Sequence, residues 1–337
     1  MDLQAIIKDL NQVQRLDLLK FLQYEIEAPK FDLLNSNPKN KLKVECPNCD
    51  KSQVVGHGNY KGRSRFMCKS CNKSFNDYTG TAISGIKKVE QFQSYIKLVL
   101  ESVTIRKAAK KLGLHTSTIL DWRHKISSSL EQINGSKFIG IVECDDKLVN
   151  INEKGNKKLN RDSYKRPSDR KTKRGVSDDK ISIIVATDRK GNPTMKVAKK
   201  GRIDTQSVEK SIGDLMSVEN ILCSDKHPSL ICWAKENNLE HHTFLSKHHI
   251  KNKIYHVQNV NSIDNLYERW IKPFYGVSTK YLGNYLNWFM FLQNVKNKTN
   301  QALELAEIIL SNKKAKKTFK EIESMYQILI NPQLTRT

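Results

Sequence analysis

Two short apolar runs in this 337-residue chain stop at acids. Phe138-Ile139-Gly140-Ile141-Val142-Glu143-Cys144-Asp145-Asp146 reads as a buried strand ending in carboxylates, and Glu219-Asn220-Ile221-Leu222-Cys223-Ser224-Asp225 finishes the same way. In α/β proteins the loops at the carboxyl ends of central strands open a crevice that the core does not fill, and chemistry collects there. Two such strands side by side hold Asp145 and Asp225 at one edge, where a hard cation such as Mg²⁺ takes oxygen ligands. Either aspartate alone reads equally as a turn residue closing a strand. A third oxygen can come from residues 261–274 read as a helix. Ile263, Leu266, Tyr267, Trp270, Ile271 and Phe274 form its apolar stripe, while Asn261, Asp264 and Glu268 share the other side. The same polar face also suits a helix turned to solvent.

The second chemical signal is Cys46-Pro47-Asn48-Cys49, then eighteen residues, then Cys68-Lys69-Ser70-Cys71. Two Cys-x-x-Cys knuckles at this separation can set Cys46, Cys49, Cys68 and Cys71 tetrahedrally around Zn²⁺, with a hairpin between them. So short a segment has little core, and metal ligation, worth on the order of 10 kcal/mol, supplies its folding energy. A redox role needs one exposed pair in a thioredoxin-like setting, which is missing. His57, between the knuckles, could substitute as a ligand, but with four cysteines available it reads as a surface residue. Lys61, Arg63, Arg65, Lys69 and Lys73 make the ribbon basic, as phosphate contact requires. Cys144, Cys223 and Cys232 sit in apolar surroundings as free thiols, so the seven cysteines are no secreted disulfide framework.

Charge points the same way: 58 Lys and Arg against 35 Asp and Glu leave +23, with a pI of about 9.6. Such an excess repels itself within a compact fold and commonly serves to meet a polyanion such as nucleic acid. No apolar run reaches ~18 residues and no signal peptide opens the chain, so a cytoplasmic protein that does not span a membrane is expected.

The elements that must position these residues follow in chain order. Residues 3–22 have helical periodicity, and Asn35–Lys41 has linker composition. A helix is expected from Val89. Residues Thr104–Ile126 have the build of a helix-turn-helix, with Gly113 at the turn and Thr116 or Ser117 capping the second helix. That helix is expected to present Thr118, Asp121, Arg123 and Lys125 to a major groove. A Lys- and Arg-rich stretch, 150–180, reads as a solvated loop or as a clamp on a DNA backbone. Strands 180–188 and 194–198 around Arg189-Lys190-Gly191-Asn192-Pro193 form a hairpin. A helix over 205–216, the Asp225 strand, a helix through Trp233 and a strand over 239–245 complete the order of an RNase H-like mixed sheet. The expected division is residues 1–40 N-terminal helices and linker, 41–85 zinc ribbon, 86–134 helix-turn-helix, 135–298 catalytic α/β domain and 299–337 a helical, basic tail.

Taken together, these residues resemble bacterial insertion-sequence transposases with an N-terminal zinc ribbon and a DDE-type, RNase H-like catalytic domain. The resemblance runs from Cys46 to about Trp288. It rests on the four-cysteine ribbon, Val142-Glu143-Cys144-Asp145-Asp146, Cys223-Ser224-Asp225, His256-Val257-Gln258-Asn259-Val260-Asn261-Ser262, and Gly276-Val277-Ser278-Thr279-Lys280-Tyr281-Leu282-Gly283-Asn284-Tyr285-Leu286. It implies that Asp145 and Asp225 are the first two acids and that Asn261 stands where the third is usually Glu. This chain has Asp264 where its relatives commonly carry His, and Glu268 where they carry a basic residue, so the third ligand stays open among Asn261, Asp264 and Glu268. Glu143 and Asp146 are further candidates. The resemblance also implies a pair of Mg²⁺ or Mn²⁺ ions about 4 Å apart beside structural Zn²⁺, hydroxyl attack on phosphodiesters that first nicks and then joins strands, double-stranded DNA at the element's terminal inverted repeats, and a homodimer or larger assembly. Two alternatives are a non-catalytic zinc-ribbon and helix-turn-helix regulator descended from a decayed transposase, and an RNase H-like nuclease.

Overall fold

The structure, a computed structural model, describes residues 45–60, 63–131, 135–157, 159, 180–245, 250–251, 254–311 and 319–331. The expected helices of residues 3–22, the linker, most of the basic stretch 150–180, and Lys313–Lys317 lie outside them.

The ribbon is a three-stranded antiparallel sheet: β1 (Val54–Tyr60) and β2 (Arg63–Cys68) form the hairpin between the cysteine knuckles, and β3 (Ser74–Phe75), just past the second knuckle, pairs with β2. Its apolar content is slight: Phe75 packs beside Phe66, Val54 and the four cysteines.

Three helices follow: α1 (Val89–Leu100), α2 (Ile105–Leu112) and α3 (Thr116–Ser129). Gly113 ends α2 in the left-handed conformation at φ 62°, which turns the chain into α3. The cap of α3 is His115, whose side chain accepts from the Ser117 N–H, so the hydroxyls of Thr116 and Ser117 are not the cap. Ala108 and Ala109, both buried, let α2 lie close to its neighbours.

The α/β portion is one five-stranded mixed sheet. Its strands are β4 (Ile141–Asn150), β5 (Lys180–Asp188), β6 (Pro193–Lys200), β7 (Ile221–Asp225) and β8 (Glu240–Phe244), in the order β6-β5-β4-β7-β8. The β4-β5-β6 pairs are antiparallel, while β7 and β8 run parallel to β4, which is the RNase H-like arrangement. Burial on both faces requires a nearly unbroken apolar strand, and β5 is buried from Ile181 through Asp188. Helices α4 (Thr205–Ile212) and α5 (Pro228–Glu236) cover the face carrying Val142, Cys144, Ile184 and Leu222. Helices α6 (Gln258–Ile271) and α7 (Leu282–Val295) cover the other face, over Ile181, Ile183, Val185 and Cys223.

Helix α8 (Gln301–Ser311) and helix α9 (Phe319–Ile330) complete the described chain. One apolar core joins α1–α3 to Phe274, Tyr285, Trp288, Phe291, Leu305 and Ile309, so it crosses the expected divisions at 134 and 298. No helix among the described residues is long and apolar enough to cross a membrane.

β4 differs from its sequence reading. The strand does not stop at Asp145 and Asp146 but continues to Asn150, because β5 pairs along its whole length, with Asp145 opposite Val185 and Asn150 opposite Lys180. What ends at this level is β7, at Asp225.

Candidate active site

The parallel register of β4 and β7 pairs Glu143 with Cys223 and Cys144 with Ser224, so the next step brings Asp145 beside Asp225. From there β4 has no neighbour on the β7 side, and carboxylates from both strands fill the gap. Oxygens of Asp145, Asp146 and Asp225 all lie within 4.8 Å of one another. Confinement of like charges penalises ionisation. Burial and then the charge of Asp225 raise the Asp145 carboxyl to about 7, against a hydrogen bond from the Asp146 N–H. Burial also raises Asp146, against the pull of His227 and Arg202, whose side chains hydrogen-bond to each other at 3.2 Å. Asp225 is braced by accepting the His227 N–H at 3.0 Å.

Helix α6 stands over this cluster and carries the remaining candidates. Asp264 is pushed up to about 6, first by burial, with the Lys147 ammonium opposing; its own charge reaches Asp145. Its Oδ1 is buried without a hydrogen-bond partner among the described residues. Glu268 is exposed and pairs with Lys147 at 2.7 Å, while Asp264 lies 4.0 Å from the same ammonium. Lys147 follows Asp145 by two residues, so strand alternation turns it to the α6 side as well. Asn261 is exposed, one turn before Asp264 on the helix.

Glu143 was a candidate ligand, and the structure gives its oxygens other partners. The side chain is wholly buried. Oε1 meets Arg189 at 2.6 Å and accepts from Asn259 Nδ2 at 2.9 Å, and Oε2 accepts the N–H groups of Asn259 and Val260 at 2.7 and 3.1 Å. No lone pair is left for a cation.

The donor set of the acidic cluster fits a divalent ion. Hard carboxylate oxygens converge, their mutual repulsion is what a dication relieves, and Asp264 supplies a further buried oxygen with no partner. The sequence reading missed Arg202 and His227. His227, two residues beyond Asp225, was visible; Arg202 had no local signal.

In the ribbon, Cys46 and Cys71 Sγ are 3.6 Å apart, as are those of Cys49 and Cys68, and all four lie within 4.8 Å. A disulfide needs about 2.05 Å, whereas zinc with Zn–S bonds of about 2.3 Å spaces tetrahedral sulfurs at about 3.8 Å. The knuckles close alike. The Asp50 N–H donates to the Cys46 carbonyl and that of Asn72 to Cys68, with Asp50 and Asn72 at φ 57° and 54°. His57 is exposed.

The expected DNA-facing residues divide. Arg63 lies over the Tyr78 ring at 3.9 Å and Arg65 donates to Ser74 Oγ, so both lie along the ribbon, while Lys69 and Lys73 are exposed. Thr118 is half-buried, and Lys125 is drawn to Asp121 at 2.9 Å. Arg123 overturns its expectation: it is 1 % exposed. Its guanidinium donates to the hydroxyls of Tyr95 and Tyr285 and to the Val103 carbonyl, and lies 4.6 Å from the Trp288 ring. Helix α3 is buried on nearly every side after Ile119 because α1, α7 and α8 enclose it. The exposed basic residues are instead on α2: Arg106, Lys107, Lys110 and Lys111.

Comparison with known proteins adds sequence relatives. Residues 137–294 match the model of the ISXO2-like transposase domain. The chain is 24% identical over 272 residues to an uncharacterized protein in transposable element ISH50 of Halobacterium salinarum, covering 76% of this chain and 87% of that one. It is 30% identical over 82 residues to the insertion element iso-IS1N protein InsA of Shigella dysenteriae, covering 23% of this chain and 86% of that protein. Among solved structures, a pre-cleavage Mos1 transpososome aligns over 67% of this chain and 79% of its own at 10% identity, with a TM-score of 0.20.

Proposed function

We propose a reaction from one premise: this chain belongs to the family of insertion-sequence transposases with an ISXO2-like transposase domain. As a DNA transposase it uses the acidic cluster to cut and join phosphodiesters. The observation that carries this reading is the convergence of Asp145, Asp146 and Asp225 within 4.8 Å at the end of β7.

Asp145 and Asp225 would hold the divalent ions, with Asp264 lending its unpartnered oxygen and Asn261 placed at the rim one turn earlier. When bound, Mg²⁺ or Mn²⁺ supplies Lewis-acid stabilisation to the attacking and leaving oxygens of phosphoryl transfer. Asp146 has the Arg202 guanidinium and the His227 ring beside it, so a cation stands on one side of the cluster, where the phosphate being cut brings its charge. Lys147 holds α6 to β4 through Glu268 and Asp264. Water attacks first: a P–O bond to water forms as the bond to the 3′ oxygen breaks, freeing a 3′-hydroxyl. That hydroxyl then attacks a phosphate of target DNA, and the 3′ oxygen of the target strand leaves. The α2 cations, with Lys69 and Lys73 of the ribbon, contact the backbone of the terminal repeats, and pairing of two ends brings two copies of the chain together.

The test is incubation of full-length protein and Mg²⁺ with labelled duplexes of the DNA flanking its gene. Nicked and then joined strands are expected. Asp145→Ala and Asp225→Ala should each remove both by roughly 10³-fold, a loss of several kcal/mol of charge stabilisation, with duplex affinity within about twofold of wild type because phosphate contacts elsewhere set it. Cuts that never join would identify the nuclease, and binding without cleavage the regulator. Wild-type cleavage by Asp145→Ala would remove the cluster from the chemistry.

A further inference from the structure

Glu143 is a carboxylate buried to 0 % exposure two residues before the acidic cluster. A 14-residue helix presents donors at its first turn that have no intrahelical partner. In α6, Val257 at the cap position contributes no side-chain bond. The Gln258 N–H goes to His256 Nδ1, and those of Asn259 and Val260 go to Glu143 Oε2. The Asn261 N–H meets the Val257 carbonyl. The cap of α6 is therefore supplied from β4, 116 residues away in sequence. The Asn259 amide donates to the other Glu143 oxygen, and Arg189, at the end of β5, neutralises it at 2.6 Å while its guanidinium also reaches His256. A negative charge at a helix N-terminus is favourable, and more so where water is scarce.

We propose that Glu143 is a positioning residue: by capping α6 from the strand that carries Asp145, it fixes where Asn261 and Asp264 stand relative to Asp145 and Asp225, and so sets the affinity of the acidic cluster for its divalent ion. Glu143 and Asp145 sit on the same side of β4, and the cap and Asp264 lie about a turn and a half apart on α6, so strand and helix are tied at one point next to the cluster. The Lys147 pairs with Glu268 and Asp264 tie them again on the far side. A shift of the first turn moves Asp264 directly. The proposal rests on the transposase reading only in taking the cluster to bind a divalent ion.

Mn²⁺ binding to the full-length, DNA-free protein, followed by electron paramagnetic resonance, reads this without catalysis. Glu143→Gln keeps the shape and loses the charge and one acceptor. It should need about 10- to 100-fold more Mn²⁺ for half-saturation, the usual loss when an orienting partner of a metal ligand is removed, with faster amide exchange at Asn259 and Val260. Glu143→Asp, still charged on a shorter arm, should recover at least half of that loss on a logarithmic scale. Should Glu143→Gln fail to fold, Asn259→Ala, which removes one donor at an exposed position, should still weaken Mn²⁺ measurably, by about threefold. Wild-type Mn²⁺ affinity in folded Glu143→Gln, or in folded Asn259→Ala if Glu143→Gln does not fold, overturns the proposal. So does failure of Glu143→Asp to recover affinity. Asp145→Ala separates the two readings. If it binds Mn²⁺ like wild type, the metal site itself is misplaced; if it loses Mn²⁺ while Glu143→Gln does not, only the positioning role falls.

Discussion

Arg123→Ala sets a buried role against a DNA-contacting one. Arginine stays protonated in proteins, and among the described residues its guanidinium has no carboxylate partner; it meets the Tyr95 and Tyr285 hydroxyls, the Val103 carbonyl and the faces of Trp288 and Phe274. Truncation leaves up to three acceptors without their donor, at about 1–3 kcal/mol for each that finds no substitute. It also removes a desolvated cation–π contact worth about 2 kcal/mol and opens a void in the core joining α1–α3 to α7. Relief of the cost of burying a charge offsets part of this. The expected net loss is about 3–5 kcal/mol, or a melting point lower by on the order of 10 °C. Urea and thermal unfolding measure it. Duplex affinity of the folded protein and its dependence on salt should be unchanged. If stability stays within about 0.5 kcal/mol of wild type while affinity falls and the salt slope drops by about 0.9, the loss of one phosphate contact, then Arg123 reaches DNA and the buried placement is refuted.

Removing zinc with a chelator, or replacing Cys46 with Ser, should cost the ribbon on the order of 10 kcal/mol and unfold residues 45–75. The core of α1–α3 and α7 should stay protected from protease, as limited digestion would reveal. His124 gives a pH dependence. Its ring is stacked on Tyr281 at 4.0 Å, accepts from Asn284 at Nδ1 and leaves Nε2 buried without a partner among the described residues. Burial, then the charges of Arg123 and Lys280, lower its pKa to about 3, below the 6.5 of a free imidazole. Between those values the unfolded chain binds the extra proton, so this contribution to stability is complete above pH 6.5 and is lost as pH falls toward 3. The loss should be about 2 kcal/mol at pH 5. Urea unfolding at pH 5 and pH 7 should show that difference shrinking in His124→Asn, and an equal difference in both proteins would sink the assignment.

What the sequence made legible followed from local repetition. Two Cys-x-x-Cys knuckles reveal their ligands because spacing along the chain sets spacing in space. The strand runs around Asp145 and Asp225 needed only one assumption, parallel pairing in register, to bring the acids together. Arg123 was illegible for a physical reason. A helix with Arg123, His124, Ser127, Ser128 and Ser129 looks solvated, and only the later arrival of Tyr285 and Trp288 makes that surface interior. Glu143 was hidden in the same way, since its partners lie 116 and 117 residues on and a buried carboxylate in a strand carries no mark of what it caps. The length of β4 was misread because the acids looked like an end, whereas β5 carries the ladder past them.

The shared core beneath α1–α3 and α7 has a consequence for how such a protein measures its substrate. A reading module on a flexible tether would let the scissile bond drift along the duplex. Here the helices proposed to grip the element's end and the acids proposed to cut it are welded through Trp122, Tyr285 and Trp288, so the number of base pairs from grip to cut works as a ruler whose graduations are side-chain volumes. Moving the cut by a nucleotide would take repacking of those aromatics, not a longer connector.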